Sequence, residues 1–296
     1  MPLSKQTEMG LNDHATDFAY DSGAAAMSAL NSSHRPMPSS DDATNDGEAG
    51  RAPSLPQHLQ RAATITFDPD IYPVHELVSK ILLGEHAGKV MLQDLHTLPE
   101  FQAKKRGRPK LSYQRYRNKG PHRDNEFRDE FRYQIGRFVD EVVRPLLTNG
   151  ELVYQREPVL RVQVPHHEPL GNRHRDEDYG RQPTEINLWL PLTPVFGTNS
   201  LWTETERGLR DWHPFTAPGP GHCMRFWGSQ CEHFTKANTT EVTRVSLDFR
   251  VVPEDLFIDS YTSPISQRGT AMRRGESYTD TIAERKWRKE TKTPPS

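Results

Sequence analysis

The sequence predicts an α+β fold with a mainly β core. Three features carry that expectation: helical periodicity confined to the chain before residue 150, period-two alternation after it, and Pro- and Gly-containing turns between the alternating segments. The first 60 residues contribute to neither pattern. They are rich in Ser, Ala, Asp, Asn, Gly and Pro with few aliphatic side chains at a regular period, so burial cannot offset their ordering entropy, and residues 1–60 read as a disordered tail.

Order is expected to begin at residue 61, with a short strand over Ala62 to Phe67. A helix follows Pro73, where Val74, Leu77, Val78 and Ile81 recur at helical spacing. Residues 104–119 hold eight Lys or Arg and no acid, interleaved with Gly107, Pro109, Tyr113 and Tyr116, which makes them a basic loop inserted in the domain. Phe127, Phe131, Ile135, Phe138 and Val142 then repeat at steps of four, four, three and four, with Asp124 or Asn125 placed to cap, and predict a packed helix ending near Pro145 and the Asn149-Gly150 turn. Beyond it, Leu160, Val162 and Val164, then Ile186, Leu188 and Leu190, then Val245, Leu247, Phe249 and Val251 alternate with polar residues. Each strand so predicted has one apolar and one polar face, and polar faces recurring on several strands suit the interior cavity of an antiparallel sandwich or barrel. The pattern fades beyond Pro253. The domain is therefore placed at 61–260, and 261–296 reads as a peripheral charged tail with at most a short helix around Ile282 to Arg288.

Composition narrows the function classes. A net charge of -2 and a pI near 6.7 give no global attraction to nucleic acid or anionic membranes. Two cysteines, Cys223 and Cys231, are too few for a disulfide framework and suit a reducing compartment. No apolar run approaches membrane-spanning length, and the N-terminal segment has no apolar core of a secretory signal, so a cytoplasmic protein without membrane contact is expected.

Chemistry concentrates between residues 158 and 253. His174 and Asp176 lie two apart, so in extended backbone both leave one face about 6.6 Å apart at Cα, and His233 can add a third ligand from a later strand. Two imidazoles and one carboxylate leave open positions on an octahedral ion, as non-haem iron(II) centres require. The spacing alone is weak, because His122 and Asp124 share it in a segment that reads as a solvated turn between the basic loop and the helix cap. Asp178 competes with Asp176 for the carboxylate position. His166, His167 and His222 are nearby imidazoles outside any motif register, and Cys231 reads as a buried thiol. Eleven residues past His233, Arg244 and Ser246 project from the polar face of one strand and suit a carboxylate clamp. Asn187 and Trp189 project likewise and are candidates to touch a cosubstrate or substrate, while Trp202, Trp212 and Trp227 are expected mainly to pack the barrel and its lid.

On HRDEDYG, EINLWLPLT, GTNSLW and TRVSLDFRV, the stretch Pro158 to Pro253 resembles the iron(II)/2-oxoglutarate-dependent dioxygenase superfamily and, within it, the streptomycin-biosynthesis StrG-like branch. The resemblance implies a double-stranded β-helix with flanking N-terminal helices. It implies His174, Asp176 and His233 as ligands of Fe(II), and Arg244 and Ser246 as the clamp on the cosubstrate 2-oxoglutarate, with O2 as oxidant and a small molecule hydroxylated. The family pattern also favours Asp176 over Asp178. Asn187 is grouped with the cofactor-binding residues. The tail and the basic loop lie outside the resemblance.

One motif stands apart from this reading. KKRGRPKLS, residues 104–112, matches an AT-hook, in which Arg106 and Arg108 would enter the minor groove of A·T-rich DNA. A single hook binds weakly and with strong salt dependence. The alternatives are a DNA-associated protein that uses this loop and a lid or anion-binding loop over the site.

Overall fold

The computed structural model describes residues 54–101, 125–259, 261, 273–275 and 277–291. The basic segment with Arg106 and Arg108, the pair His122 and Asp124, and residues 1–53 lie outside the described residues.

Order starts earlier than the composition predicted. A one-turn helix α1 (Gln57–Gln60) is held by Leu55 and Leu59, which are buried in the main core, so the ordered chain reaches at least residue 54. Two isolated leucines carry no detectable period, and tertiary contact is what orders them. Strand β1 (Ala63–Thr66) and helix α2 (Val74–Leu83) follow, the latter burying Val74, Leu77, Val78 and Ile81 as its spacing requires. Helix α3 (Asn125–Phe138) presents Phe131, Ile135 and Phe138 to the same core and continues through a π turn, Val139–Val143, into the short α4 (Arg144–Leu147). No helix among the described residues is long and apolar enough to cross a membrane.

The strands are β2 (Leu152–Gln155), β3 (Val159–Gln163), β4 (Ile186–Pro191), β5 (Leu201–Thr203), β6 (His213–Pro214), β7 (His222–Phe226), β8 (His233–Thr235), β9 (Arg244–Pro253) and β10 (Tyr278–Asp280). One antiparallel sheet runs β1-β7-β4-β9-β2-β10, with β3 also on β9, and a second runs β6-β5-β8, extended by a single bridge from His174 to His233. From β3 onwards the chain visits the sheets in the order major, minor at His174, major, minor, minor, major, minor, major. That alternation is a double-stranded β-helix, a jelly roll with its cavity between the sheets.

Register explains why alternation was visible and what it conceals. Asn187 lies opposite Arg250 and Phe226, Trp189 opposite Asp248 and Met224, Ser246 opposite Arg161 and Pro191, and Arg244 opposite Gln163, so all share the face turned to the minor sheet. On that side the Trp189 ring meets Phe215 at 6.0 Å and Phe226 meets His233 at 5.1 Å. Leu160, Val162, Leu188, Val245, Leu247 and Phe249 occupy the other face and join one core with α2 and α3. The polar face is itself buried: every residue of β4 is inaccessible, Asn187 included.

The C-terminal segment is also more than a peripheral tail. β10 pairs with β2, and helix α5 (Thr281–Thr291) follows it. Glu284 is fully buried, bonded by the Arg132 guanidinium at 3.0 and 3.2 Å, and packed where Gly136 lacks a side chain; a Cβ there would meet Glu284 Cγ at 2.7 Å. The sequence offered at most a short helix around Ile282 to Arg288; its docking was not legible because its anchors are ion pairs rather than an apolar stripe.

Candidate metal centre and anion site

His174 and His233 face each other across their bridge, exchanging backbone bonds of 3.2 and 2.9 Å, so both imidazoles leave the same side with ring centroids 4.3 Å apart. Asp176 opens a 3₁₀ turn, Asp176–Tyr179, and its N–H donates to the Gly228 carbonyl at 2.8 Å. One carboxylate oxygen, Oδ1, then lies 3.5 Å from His174 Nε2 and 3.6 Å from His233 Nε2. Donor atoms of these three residues all fall within 4.8 Å of one another, a triangle able to hold one ion, and no other such group occurs among the described residues. The Nδ1 atoms are engaged by main-chain carbonyls, His174 with Asn172 at 2.6 Å and His233 with Cys231 at 3.0 Å. Those acceptors place the ring hydrogens on Nδ1 and leave the Nε2 lone pairs directed at the gap.

The carboxylate is fixed from behind. Its second oxygen, Oδ2, accepts from Arg250 Nε at 3.0 Å, Arg250 Nη2 at 2.8 Å and Asn187 Nδ2 at 2.8 Å. Burial opposes ionisation of Asp176, but Arg250 and the two imidazoles outweigh it and hold the carboxyl well below the usual range. Burial likewise disfavours a proton on His174, and the Asp176 contact overrides it, so the His174 pKa is raised. Gly228 makes room for the arrangement, since a Cβ there would collide with the Asn187 amide.

The remaining sequence candidates sort cleanly. Asp178 is turned away, its carboxylate accepting from the Arg175 N–H at 2.9 Å and Arg175 Nη2 at 3.4 Å, so the carboxylate beside the histidines is Asp176. Cys231 is buried in the core with its thiol pushed up to about 12 by burial, which keeps it protonated. His166 is exposed, and His222 engages the Pro220 carbonyl at 3.3 Å; neither joins the triad, nor does His167. Asn187, expected against a cosubstrate, spends its amide nitrogen on Asp176 instead.

Arg244 and Ser246 form a second feature of the same face. Arg244 is wholly buried, yet among the described residues its one hydrogen bond is Nη1 to the Asn199 carbonyl at 3.3 Å, and its Nε and Nη2 have no acceptor there. The buried Ser246 hydroxyl also lacks a partner among the described residues. Leaving such groups unpaired costs about 1–3 kcal/mol each, more for a charged one. Burial, with the charge of Arg161 second, lowers the Arg244 pKa to about 9, so it remains a cation at neutral pH. The Trp189 ring lies 5.9 Å from the guanidinium carbon. A buried cation with two idle donors beside an idle hydroxyl has the chemistry to accept an anion, and a carboxylate would match the fork.

Sequence reasoning passed over Arg250, Asp248, Arg161 and Gly228. The signal for the first two was present, because Arg244, Ser246, Asp248 and Arg250 occupy one face of β9 by simple alternation.

No family model matches the chain. It is 36% identical over 128 residues to the streptomycin biosynthesis protein StrG of Streptomyces griseus, an alignment spanning 43% of this chain and 59% of that protein. Among solved structures, it superposes on the non-haem α-ketoglutarate-dependent epimerase SnoN from nogalamycin biosynthesis with 11% identity and a TM-score of 0.43, covering 76% of this chain and 95% of that one. EctD from S. alaskensis gives 12% identity and a TM-score of 0.43 over 74% and 82% of the two chains. CytC3 with Fe(II) and α-ketoglutarate gives 15% identity and a TM-score of 0.41 over 74% and 83%.

Proposed function

We propose that the chain is a non-haem iron(II)/2-oxoglutarate-dependent oxygenase of the StrG-like branch, acting in the cytoplasm to hydroxylate a small polar metabolite. The observation that carries this reading is the pairing of two incomplete sites across the space between the two sheets, the histidines on the minor sheet and the clamp on β9 of the major one. His174, Asp176 and His233 offer a facial set of donors to a metal, and Arg244 with Ser246 offers unpaired donors to a carboxylate. A 2-oxo diacid satisfies both, chelating metal at one end and filling the clamp at the other. The donor set fits iron(II), which tolerates two imidazoles and one carboxylate while keeping positions open.

Bound iron, 2-oxoglutarate and O2 would supply the oxidising power, with succinate and CO2 formed as the substrate carbon is hydroxylated. The chain's own residues do the positioning. Arg250 and Asn187 direct Asp176 Oδ1 at the metal position by occupying Oδ2. The carbonyls of Asn172 and Cys231 set the imidazole orientation. Arg244 and Ser246 anchor the far carboxylate, and the buried walls of Trp189 and Phe226 exclude water from the space between. Presence of Asp176 argues against halogenation, which in this superfamily leaves that ligand position to halide.

Anaerobic addition of Fe(II) and 2-oxoglutarate should produce the weak visible charge-transfer band of the chelate, and His174→Ala or His233→Ala should remove it. A folded wild-type protein with neither band nor iron affinity would overturn the reading. A second reading rests on the KKRGRPK motif: nucleic-acid association through Arg106 and Arg108. A gel shift on A·T-rich duplex that is lost in Arg106→Ala and Arg108→Ala would support it.

A further inference from the structure

The major-sheet face that holds Arg244, Ser246 and Arg250 carries one more cation, and nothing in the proposed chemistry employs it. Arg161 lies opposite Ser246 on β3. Its Nε donates to Asp248 Oδ2 at 3.1 Å, which fixes the stem, while its terminal nitrogens find no protein acceptor among the described residues. The side chain is 38% exposed, whereas Arg244 is wholly buried and Arg250 is 8% exposed at its side chain. Its position is intermediate: it lies opposite the clamp residue Ser246, and its partner Asp248 also contacts Arg250, at 3.2 Å, the arginine that holds Asp176. Arg161 is therefore the most exposed arginine of this face, set between the clamp residue Ser246 and the arginine that supports the triad.

Arg161, Arg244 and Arg250 face Asp176 and Asp248, with Asp248 shared between Arg161 and Arg250 at 3.1 and 3.2 Å, so one positive charge is in excess. Glu185 lies beyond this set and is coupled through the Tyr278 hydroxyl to Arg181, with bonds of 3.0 and 3.1 Å, a pair without net charge. Iron(II) and a 2-oxoglutarate dianion would together add no net charge. The excess cation thus survives cosubstrate binding and belongs to whatever binds next. Beside the triad, Tyr179 is 53% exposed with its ring edge-on to His174 at 5.0 Å, an uncovered wall for the uncharged part of that ligand.

We propose that Arg161 is a specificity-determining residue and that the substrate is an organic anion, a carboxylate or phosphate ester, whose charged group binds its guanidinium. This rests on the oxygenase reading. The test uses anaerobic full-length protein loaded with Fe(II) and saturating 2-oxoglutarate, with methylphosphonate as probe and iron-enhanced 31P relaxation as readout. Wild type should show saturable relaxation, and Arg161→Gln should weaken probe affinity about tenfold or more, the range of a charge-assisted hydrogen-bonded pair. 2-Oxoglutarate affinity, read from the charge-transfer band, should stay within about twofold, and that band reports the fold of each variant. Arg161→Lys, which keeps the charge and loses the planar fork, should fall between. Saturable relaxation unchanged in Arg161→Gln, or absent in a wild type that shows the band, overturns the inference alone. Loss of 2-oxoglutarate affinity in Arg161→Gln and Arg161→Lys also overturns it, by assigning the residue to cosubstrate or fold. Absence of the band in wild type is the separate failure of the oxygenase reading.

Discussion

Arg244 and Arg250 show how two buried arginines on one strand face can have opposite roles. Arg250 is saturated, with a fork on Asp176 and a contact to Asp248 at 3.2 Å, and these carboxylates raise its pKa against the effect of burial. Arg244 has neither partner. Arg250→Met should therefore leave Asp176 without its counter-charge, costing about 3 kcal/mol of stability in denaturant titration and abolishing iron binding. Arg244→Met keeps the volume and removes an unpaired charge, so stability without ligand should hold or rise. Its 2-oxoglutarate affinity should nonetheless drop about a hundredfold, roughly 3 kcal/mol, in anaerobic titration while iron affinity persists. Loss of fold in Arg244→Met would make that residue structural and remove the clamp.

At the scale of elements, the helices are joined to the barrel by charge as much as by apolar packing. Asp140, in the π turn, accepts from Arg144 at 3.0 Å, Arg285 at 2.7 Å and Arg288 at 2.6 Å, tying α4 to α5, and Arg285 reaches on to Glu151 at 2.5 Å beside β2. The extra residue of the π turn turns Asp140 inward, where it is 6% exposed. Burial opposes its ionisation, yet the three guanidinium groups outweigh that and lower its pKa; Glu151 is lowered likewise, by Thr281 and Arg285 against burial. A depressed folded-state pKa means stability that is complete above the unfolded value near 3.8 and is lost as pH falls through the folded value. Asp140→Asn should cost about 2 kcal/mol at neutral pH, discounted for partly exposed arginines, and should shrink the difference from wild type below about pH 3.5. Equal destabilisation at pH 7 and pH 3 would show that the network acts through packing rather than charge.

For the whole molecule, the metal position ties two separated chain segments together, namely the stretch His174 to Asp176, which runs into a 3₁₀ turn, and strand β8 bearing His233. An ion bound only by the folded state should stabilise it by about 2.7 kcal/mol at a hundred times its dissociation constant. Anaerobic Fe(II) should thus raise the melting temperature by roughly 5–10 °C for a domain of this size. His233→Ala should melt near the apo wild type and show no rise. A rise retained in that variant would place the iron elsewhere.

How much of this was written in the chain follows from the range of the interactions concerned. Period-two alternation in β3, β4 and β9 is a local consequence of backbone geometry, so the sequence by itself determined the strands, their apolar faces and the sides from which Arg244 and Ser246 project. The same holds for α2 and most of α3. The sequence already favoured Asp176 over Asp178; what holds the Asp176 carboxylate beside the histidines is the bridge between His174 and His233 and the fork from Arg250, 74 residues away. Turning Asn187 from ligand contact to carboxylate support needed Gly228 beside it. Leu55, Leu59 and α5 gained order only from surfaces that exist once the barrel has formed. Local periodicity reports which way a side chain points; only tertiary structure decides which distant charge or carbonyl meets it there, because those partners are set by strand register and sheet closure rather than by neighbours in sequence.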